Sequence, residues 1–407
     1  MAKQQTKRVS NIPASWEAVK LSALFDITSS KRVFQHEWKS EGVPFYRARE
    51  IVKLAKNGSV ENELFISEDM YQSYKSRYGV PKVGDLLITG VGTVGHVYRV
   101  RNNSPFYFKD GNIIWFKSKN KVLSSFIEQL YKNPKTKYKL LGSTPITTVA
   151  TYTIDAAKKS SVSLPPLPEQ KRIVQVLETW DYAIEALKKK IEYKKKIKKG
   201  LMQELLSGKK RLLGFSGKWH AVRLRDISIN MDNMRVPINS NDRSLRKGLI
   251  PYCGANGIVD YIDDFIFDED IILIAEDGGQ FDEYQNRPIA YRMKEKCWVN
   301  NHAHVIKASN GFSQDLLFYL TVHKNILKYL NGGTRAKLNK SELSNIEYFV
   351  PESKKEQAAL ADILILADKA IIGLQKKLLA YKKQKKFLLN NLITGDIRTP
   401  ELIKVKE

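Results

Sequence analysis

The chain contains little cysteine and no long apolar run, and both absences narrow its class. Its 407 residues include two cysteines, Cys253 and Cys297. One bridge would be an unusual frame for so long a chain, so we expect two reduced thiols without a functional role. No stretch of about eighteen apolar residues occurs, and residues 1–10 are rich in Lys and Gln, which argues against a membrane span and a secretory signal. We therefore expect a cytoplasmic protein.

Signatures of catalysis are also missing. The sequence has neither the Asn-Pro-Pro-Tyr type of methyltransferase motif nor the Val-Ala-Ile-Lys, His-Arg-Asp and Asp-Phe-Gly motifs of a kinase. Gly90-x-Gly92-x-x-Gly95 fits a dinucleotide-binding fingerprint, but residues 96–100 alternate like a strand where that fingerprint needs a helix. We expect a glycine turn instead, either a plain hairpin or one that lets the backbone approach DNA.

Two possible metal sites are incomplete in sequence. His302-x-His304 would place two imidazoles on one face of a strand, but no nearby Cys or acidic residue completes a tetrahedral ligand set. The acidic turn at residues 276–279 could hold a divalent ion, although no Glu-x-Lys partner follows it in a suitable setting. We expect no metal and no cofactor. Residues 300–302 then form a polar loop that is either structural or base-reading.

Charge is abundant and strongly one-sided. There are 68 Lys and Arg residues against 43 Asp and Glu residues, which gives a net charge of +25 and a pI near 9.7. Such an excess of positive charge favours the binding of polyanions. A phosphate backbone is a suitable partner, because each phosphate that a Lys or Arg neutralises releases counterions. Nucleic acid is the leading partner. An anionic membrane surface is the weaker alternative, because no basic segment has the aromatic-rich apolar face of a surface-lying helix.

Two compositionally irregular blocks, residues 13–165 and 219–351, share a frame. Strands are predicted at residues 43–47, 85–89, 97–100 and 113–116, and a helix at 124–132. The opening Trp16-x-Ala18-Val19-x-Leu21 returns as Trp219-x-Ala221-Val222-x-Leu224. Residues 43–46 and 85–88 likewise match 250–252 and 270–273. Different loops on a common scaffold are typical of two domains that bind different targets.

Two further segments repeat each other 187 positions apart. The matching residues are Glu169-Gln170 and Glu356-Gln357, Asp181 and Asp368, Ile184 and Ile371, Leu187 and Leu374, Ile191 and Leu378, Lys195-Lys196 and Lys382-Lys383, and Gly208 and Gly395. In each copy apolar residues alternate spacings of three and four, which is the heptad pattern of paired helices. The predicted helix-pair interface consists of Ile173, Leu177, Trp180, Ile184, Leu187 and Ile191 with Leu360, Leu364, Ala367, Ile371, Leu374 and Leu378.

Each predicted helix would be about 55 Å long, too long to lie against one small block, so we expect the two to pair with each other. Pro165, Pro166, Pro168 and Pro351 mark where the helices are entered, and Gly208 and Gly395 mark their exits. Residues 188–199 contain eight lysines. They form either a solvated outer face or a surface for an acidic partner or DNA.

The predicted fold is α+β. Two similar α/β domains are separated by two long helices that form an antiparallel intramolecular coiled coil, with a pseudo-twofold axis and the domains at opposite ends. The predicted segments are a first domain at 1–165, a first helix at 166–210, a second domain at 211–352 and a second helix at 353–407.

The pattern resembles the specificity subunit of Type I restriction-modification systems over nearly the whole chain. The likeness lies in the Leu164-Pro165-Pro166-Leu167-Pro168-Glu169-Gln170 run, its echo at residues 351–360, residues 298–305 and the two Trp-x-x-Val-x-Leu openings. The second copy has Glu352-Ser353 where the first has Pro-Leu-Pro, which leaves the stiffness of the second hinge open.

This resemblance implies a non-catalytic subunit with two target recognition domains, each of which reads one half of a split DNA sequence. It also implies that two modification subunits, which carry S-adenosylmethionine and methylate adenine, dock on the paired helices. Restriction subunits would complete an assembly that cuts DNA with ATP. Two other classes stay open from the residues alone: a self-sufficient DNA-modifying enzyme, and a basic coiled-coil structural protein.

Base readers are expected among Arg, Lys, Asn, Gln and small polar side chains on loops, because these form hydrogen bonds with base edges. In the first domain the candidates are Arg47, Arg49, Thr93 and His96, with Lys31 and Arg32 on phosphate. In the second domain they are Asn256, Gln280, Asn301, His302, Arg335 and Lys337, with Arg235 on phosphate. We expect about half of these residues to contact DNA.

Overall fold

The computed structural model of the chain describes residues 13–61, 64–142, 151–332 and 336–400. The chain divides into two compact units: Met1–Ala186 with Leu378–Glu407, and Leu187–Lys377. Each unit contains one α/β domain and part of each of two long helices. The four segments predicted from sequence have their boundaries at the ends of the long helices, whereas the two compact units divide the chain within those helices. The four-segment division stays a prediction.

The first unit contains short strands and helices up to the first long helix. Its strands are β1 (Glu17–Lys20), β2 (Phe25–Thr28), β3 (Val43–Tyr46), β4 (Phe65–Ile66), β5 (Leu86–Thr89), β6 (Val97–Arg99), β7 (Tyr107–Phe108), β8 (Ile113–Ser118) and β9 (Ser161–Leu164). Its helices are α1 (Leu21–Leu24), α2 (Ala48–Asn57), α3 (Glu68–Arg77), α4 (Ser124–Lys132), α5 (Pro134–Leu141) and α6 (Ile154–Lys159), with a 3-10 turn at Gln35–Glu37. The predicted strands and the helix at 124–132 are confirmed.

The second unit repeats the order of the strands, whereas its helices lie at different places between them. Its strands are β10 (Trp219–Arg223), β11 (Ser228–Asn230), β12 (Lys247–Gly254), β13 (Gly257–Ile262), β14 (Ile271–Ala275), β15 (Ala290–Met293), β16 (Trp298–Val299), β17 (Ala303–Ala308) and β18 (Glu347–Pro351). The long helix α7 (Leu167–Leu205) precedes these strands. The helices that follow it are α8 (Leu224–Ile227), α9 (Ser240–Leu245), α10 (Gln314–Thr321), α11 (Lys340–Ser344) and the second long helix, α12 (Lys354–Leu392). Three 3-10 turns lie at Asp232–Met234, Phe281–Glu283 and Leu327–Tyr329.

Both domains have the same sheet topology. In the first, an antiparallel sheet has the order β2-β8-β5-β6, a second sheet has the order β4-β3-β7, and β1 pairs with β9. In the second, the corresponding orders are β11-β17-β14-β15, β13-β12-β16 and β10 with β18. The central strands β5 and β14 are buried along their whole length, as expected for short runs of mainly apolar residues. The shared frame expected from the paired motifs is therefore confirmed.

The two long helices pair in an antiparallel sense within each unit. In the first unit Trp180 packs edge-on against Tyr381 with ring centroids 5.1 Å apart, and Asp181 forms an ion pair with Lys385. Further back along α7, Glu169 contacts Arg398, which lies beyond the end of α12. In the second unit the Nζ atom of Lys198 lies 2.6 Å from Asp368.

Each predicted helix-pair residue is at least partly buried. The buried ones are Ile173, Leu177, Ile184, Leu187, Ile191, Leu360, Leu364 and Ile371, and the half-buried ones are Trp180, Ala367, Leu374 and Leu378. α7 begins at Leu167, so Pro168 lies inside its first turn and not before it. Proline is tolerated there because the first N–H groups of a helix have no internal partner. Gly208 and Gly395 adopt φ values of 71° and 79° after the two helices.

Among the described residues, no helix is both long enough and apolar enough to cross a membrane.

Candidate nucleic-acid interface

The glycine-rich segment of the first domain is a hairpin between β5 and β6. Gly92 and Gly95 both have a φ of 73°, and the chain continues directly into strand β6 rather than into a helix. The side-chain hydroxyl of Thr89 donates to the carbonyl of Thr93 at 2.5 Å and accepts from the amide of His96 at 3.0 Å. The turn is therefore locked from within, and a dinucleotide fingerprint has no helix N-terminus here.

Thr93 and His96 occupy this hairpin but differ in exposure. Thr93 is exposed at the tip, whereas His96 is half-buried. Burial lowers the pKa of His96, and the nearby ammonium groups of Lys137 and Lys56 lower it further. The imidazole is therefore neutral at pH 7 and has one hydrogen-bond donor and one acceptor.

Arg47 and Arg49 converge on one buried carboxylate at the start of α2. Glu50 accepts from the Arg47 guanidinium at 3.0 and 3.1 Å and from the Arg47 amide at 3.0 Å, and it is also bonded to Arg49. Burial alone raises the pKa of Glu50, but the bonds from Arg47 and Arg49 more than offset it, and the net pKa lies below its ordinary value. A base contact by either arginine would have to share its guanidinium with Glu50.

Lys31 and Arg32 lie on the exposed loop after β2. The Nζ atom of Lys31 lies 5.3 Å from the centre of the Tyr78 ring, and Arg32 forms an ion pair with Asp110 at 2.9 Å. Two-thirds of the Arg32 side chain is exposed, at 66%. Both cations remain accessible to a phosphate.

In the second domain, three of the predicted residues line one open cleft of about 840 Å³. They are Asn256, Asn301 and His302, and the cleft is further lined by Asp277 and Asn300. Asn256 donates to the carbonyl of Gly278 at 3.0 Å, and the Nδ1 atom of His302 lies 2.9 Å from Asp277. The cleft therefore presents amide and imidazole groups that are already oriented.

The wall of the cleft is fixed by buried polar side chains. Asn300 is buried, and its Oδ1 atom accepts from the amide of His302 at 2.8 Å. Gly254 has no room for a side chain, since a Cβ atom would lie 2.7 Å from Val259 and 3.2 Å from Asn300. Asn300 thus stabilises the turn that places His302 in the cleft. Within residues 300–302, Asn300 therefore has a structural role, while the side chain of His302 lines the cleft.

His304 is a structural residue and not a partner of His302. The sequence predicts that both rings lie on one face of a strand. His304 lies on β17, but His302 precedes this strand, so the two rings do not share a strand face. The Nδ1 atom of His304 lies 2.7 Å from Asp232, and the Nε2 atom lies 2.7 Å from the carbonyl of Leu338. Both ring nitrogens are therefore occupied within the protein, and no cluster suited to a metal is found among the described residues.

Arg235 is also bonded within the protein, and its expected role as a phosphate contact stays a prediction. Its guanidinium donates to Glu276 at 2.6 Å, to the carbonyl of Ala303 at 2.9 Å and to the carbonyl of Asp232 at 3.1 Å. Its side chain is 15% exposed. These bonds hold the acidic turn against β17, and they leave the side chain little freedom to reach a phosphate.

The remaining candidates of the second domain lie around the same turn. Lys337 is exposed, and its Nζ atom lies 3.0 Å from Glu276. Burial raises the pKa of Glu276, but bonds from Arg235 and Lys337 outweigh it and lower the net pKa. Gln280 is exposed just before the 3-10 turn at Phe281–Glu283. Arg335 lies outside the described residues.

Sequence reasoning missed Arg243, which lines the cleft. Its guanidinium lies 4.9 Å from the centre of the Tyr252 ring and 3.5 Å from Asp260. Nothing in the local sequence distinguishes it from other surface arginines, because its place depends on the packing of α9 against β12.

Comparisons with known proteins agree with this architecture. A family model described as the Type I restriction modification DNA specificity domain matches residues 13–195 and 216–381. The chain is similar to the type I restriction enzyme MjaIX specificity subunit of Methanocaldococcus jannaschii, with 22% identity over 435 residues, 97% of this chain and 96% of that protein. A relative from Haemophilus influenzae is 29% identical over 200 residues, which is 46% of this chain and about half of that protein, 49%.

Solved structures show the same fold. The S subunit of a Type I restriction-modification system from M. genitalium superposes with a TM-score of 0.56 at 17% identity, over 97% of this chain and 98% of that one. A chain from a structure of type I R-M complex assembly and conformational transition gives a TM-score of 0.60 at 15% identity, over 95% of this chain and 99% of that one.

Proposed function

The chain belongs to the family of Type I restriction-modification DNA specificity proteins, and on that premise we propose that it reads a two-part DNA sequence, with one half-site for each domain. The observation that carries the proposal is that one sheet topology occurs twice with different loops. A common frame with unlike loops suits two unlike targets on one duplex. The net charge of +25 supplies a general attraction to the phosphate backbone.

The cleft of the second domain is the proposed base-reading surface there. Asn256, Asn301 and His302 present hydrogen-bonding groups of the kind that distinguish base edges in the major groove. In the first domain the proposed surface is the loop with Lys31 and Arg32, the β5–β6 hairpin with Thr93 and His96, and the start of α2 with Arg47 and Arg49. Gln280, Lys337 and Arg335 complete the proposed set.

The paired helices are the proposed scaffold. Two modification subunits that carry S-adenosylmethionine would dock on them, and restriction subunits would join the full complex in the cytoplasm. In this proposal the chain itself performs no chemistry. Its helices set the distance between the two half-sites, which for readers on one face of B-DNA is about one helical turn, roughly 34 to 36 Å.

The experiment is methylation mapping in cells that express the chain together with modification subunits. We expect methylated adenines within one two-part sequence, and no methylation from the chain alone with S-adenosylmethionine. Replacing residues 13–165 with the equivalent domain of a relative should change one half of the sequence and leave the other half unchanged. A single uninterrupted sequence, or methyl transfer by the purified chain alone, would refute the proposal.

A further inference from the structure

The second unit contains a groove of about 880 Å³ between the long helices and the domain segments at residues 284–286 and 323. Lysines of α7 form one wall, and Ile371, Ile372 and Gln375 of α12 form another. The proposed base readers lie elsewhere, in the cleft lined by Asn256 and His302. The groove is therefore a separate surface feature with its own chemistry.

Half of the lysine run faces this groove. Lys195, Lys196, Lys198 and Lys199 line it, whereas the other four lysines of residues 188–199 do not. Positions 192, 195, 196, 199 and 203 recur at spacings of three and four, so they share one face of α7. The run is thus divided between a groove wall and a solvated face.

The positive charge of the groove is only partly neutralised inside the protein. Lys198 is bonded to Asp368 at 2.6 Å and Lys195 to Glu192 at 2.8 Å. Lys199 donates to the neutral amide of Asn286 at 3.0 Å. Among the described residues, Lys196 forms no ion pair within 4.0 Å.

His323 adds no charge to this wall at neutral pH. Burial lowers the pKa of His323, and the ammonium groups of Lys198 and Lys199 lower it further, against the opposing effect of its bond to the Tyr284 carbonyl. That bond joins the His323 Nδ1 atom to the carbonyl oxygen at 2.7 Å. The cationic character of the groove therefore comes from lysine alone.

The groove also has an aliphatic patch, formed by Met202, Ile371 and Ile372, beside polar side chains such as Gln203, Gln285 and Asp368. Met202 and Ile371 are buried, while Ile372 is 49% exposed at a helix position where a solvated polar residue would be the ordinary choice. A phosphate backbone would not interact favourably with the aliphatic side chains, and a lysine face that only contacts solvent would not require them. A peptide segment with carboxylates and an apolar side chain would bind both the lysines and the aliphatic patch.

We propose that this groove receives an acidic, amphipathic segment of a modification subunit, with carboxylates against Lys195, Lys196 and Lys199 and an apolar side chain against Ile372. The inference rests on the proposed scaffold function and adds the site and the chemistry of the docking segment. It also assigns Lys195, Lys196 and Lys199 to a protein partner rather than to DNA.

The test compares two charge-matched triple variants of the full chain, each co-expressed with a modification subunit. Lys195→Glu, Lys196→Glu and Lys199→Glu alter the groove, and Lys189→Glu, Lys190→Glu and Lys194→Glu alter the same helix outside it. We expect the groove triple and Ile372→Asp each to weaken assembly at least tenfold, measured by analytical ultracentrifugation, and the control triple to assemble like the unmodified chain. Thermal unfolding of each variant establishes that it is folded.

Zero-length carbodiimide coupling of the assembled complex should link Lys195, Lys196 or Lys199 to carboxylates of the modification subunit. A groove triple that assembles normally overturns the inference. So does a groove triple that binds duplex DNA far more weakly than the control triple while assembling normally, since the groove would then serve DNA. Failure of the unmodified chain to assemble would instead refute the scaffold function, and failure of it to bind DNA would refute sequence reading.

Discussion

Arg211 forms a two-pronged hydrogen bond with the fully buried carboxylate of Glu356, at 2.8 and 2.9 Å. The indole of Trp219 donates to the same carboxylate at 3.2 Å. Glu356 lies in the first turn of α12, and Arg211 follows the end of α7. The cluster therefore joins the start of one long helix, the end of the other and the opening strand of the domain.

The first unit contains the same cluster with different residues. Glu169 accepts from Arg398 at 2.6 and 2.7 Å and from the indole of Trp16 at 3.2 Å. Each arginine follows its helix-terminating glycine by three positions, as Gly208 precedes Arg211. The duplicated Glu-Gln pair of the sequence is thus half of a structural device that sequence periodicity alone did not complete.

Arg211→Ala should destabilise the second unit by about 2 to 4 kcal/mol, because it leaves the buried Glu356 charge without its partner. Arg211 is partly exposed, so water replaces some of what is lost. Lys210→Ala is the control, since Lys210 is 69% exposed and should change stability by less than about 0.5 kcal/mol. Urea unfolding followed by tryptophan fluorescence measures both. Equal stability of the two variants would contradict the prediction.

Glu169→Gln should make the stability of the first unit less dependent on acid pH. Burial raises the pKa of Glu169, but the bonds from Arg398 and Trp16 outweigh it, and the net pKa lies below the ordinary 4.5. The ionised carboxylate therefore stabilises the fold above about pH 4.5, and this contribution is lost as pH falls through the lowered pKa. The variant should be less stable at pH 7, and the difference should shrink below pH 4.5. A difference that grew in acid would contradict the assignment.

Leu364→Ala should cost about 2 to 5 kcal/mol, as expected when a large apolar side chain is removed from a packed core. Leu364 is fully buried with Met202, Tyr319 and Val322. Leu366→Ala, two positions away on the same helix, is the control because Leu366 is 69% exposed. Thermal unfolding compares the two. A similar loss in both would mean that the helix interface lies on another face of α12.

Lys31→Ala with Arg32→Ala should weaken binding to all duplexes alike and reduce the slope of log affinity against log salt by about 1 for each phosphate contact removed. His302→Ala should instead act on sequence, with a loss of about 1 to 3 kcal/mol for the mapped target. Fluorescence anisotropy over a salt series separates the two effects. A uniform loss across sequences for His302→Ala would place that residue on the backbone.

The sequence predicts the frame of this molecule well, because the frame depends on local periodicity. The spacing of Ile173, Leu177 and Ile184 is a property of α7 itself, and the apolar run that forms β14 is buried along its whole length. Because the pattern occurs twice in the chain, each repeated element can be predicted from two copies of the sequence. Long helices, strands and the helix 124–132 follow from these patterns.

The candidate site was less predictable because it depends on which loops meet. Asn256 and His302 are 46 residues apart in the chain and meet only once β12, β14 and β17 are packed. Arg235 is of the residue type that commonly contacts phosphate, yet its guanidinium donates hydrogen bonds to Glu276 and to backbone carbonyls. The repeat would have revealed Arg211 and Arg398, since they match at the same offset of 187 positions.

In each domain the first and last strands are hydrogen-bonded to each other: Val19 lies opposite Val162, and Ala221 lies opposite Phe349. The polypeptide therefore enters and leaves each domain at one fixed place, whatever length its intervening loops have. Insertions or deletions in those loops leave the attachment of the domain to the helices where it was. Variation of the loops is in this way mechanically uncoupled from the long helices.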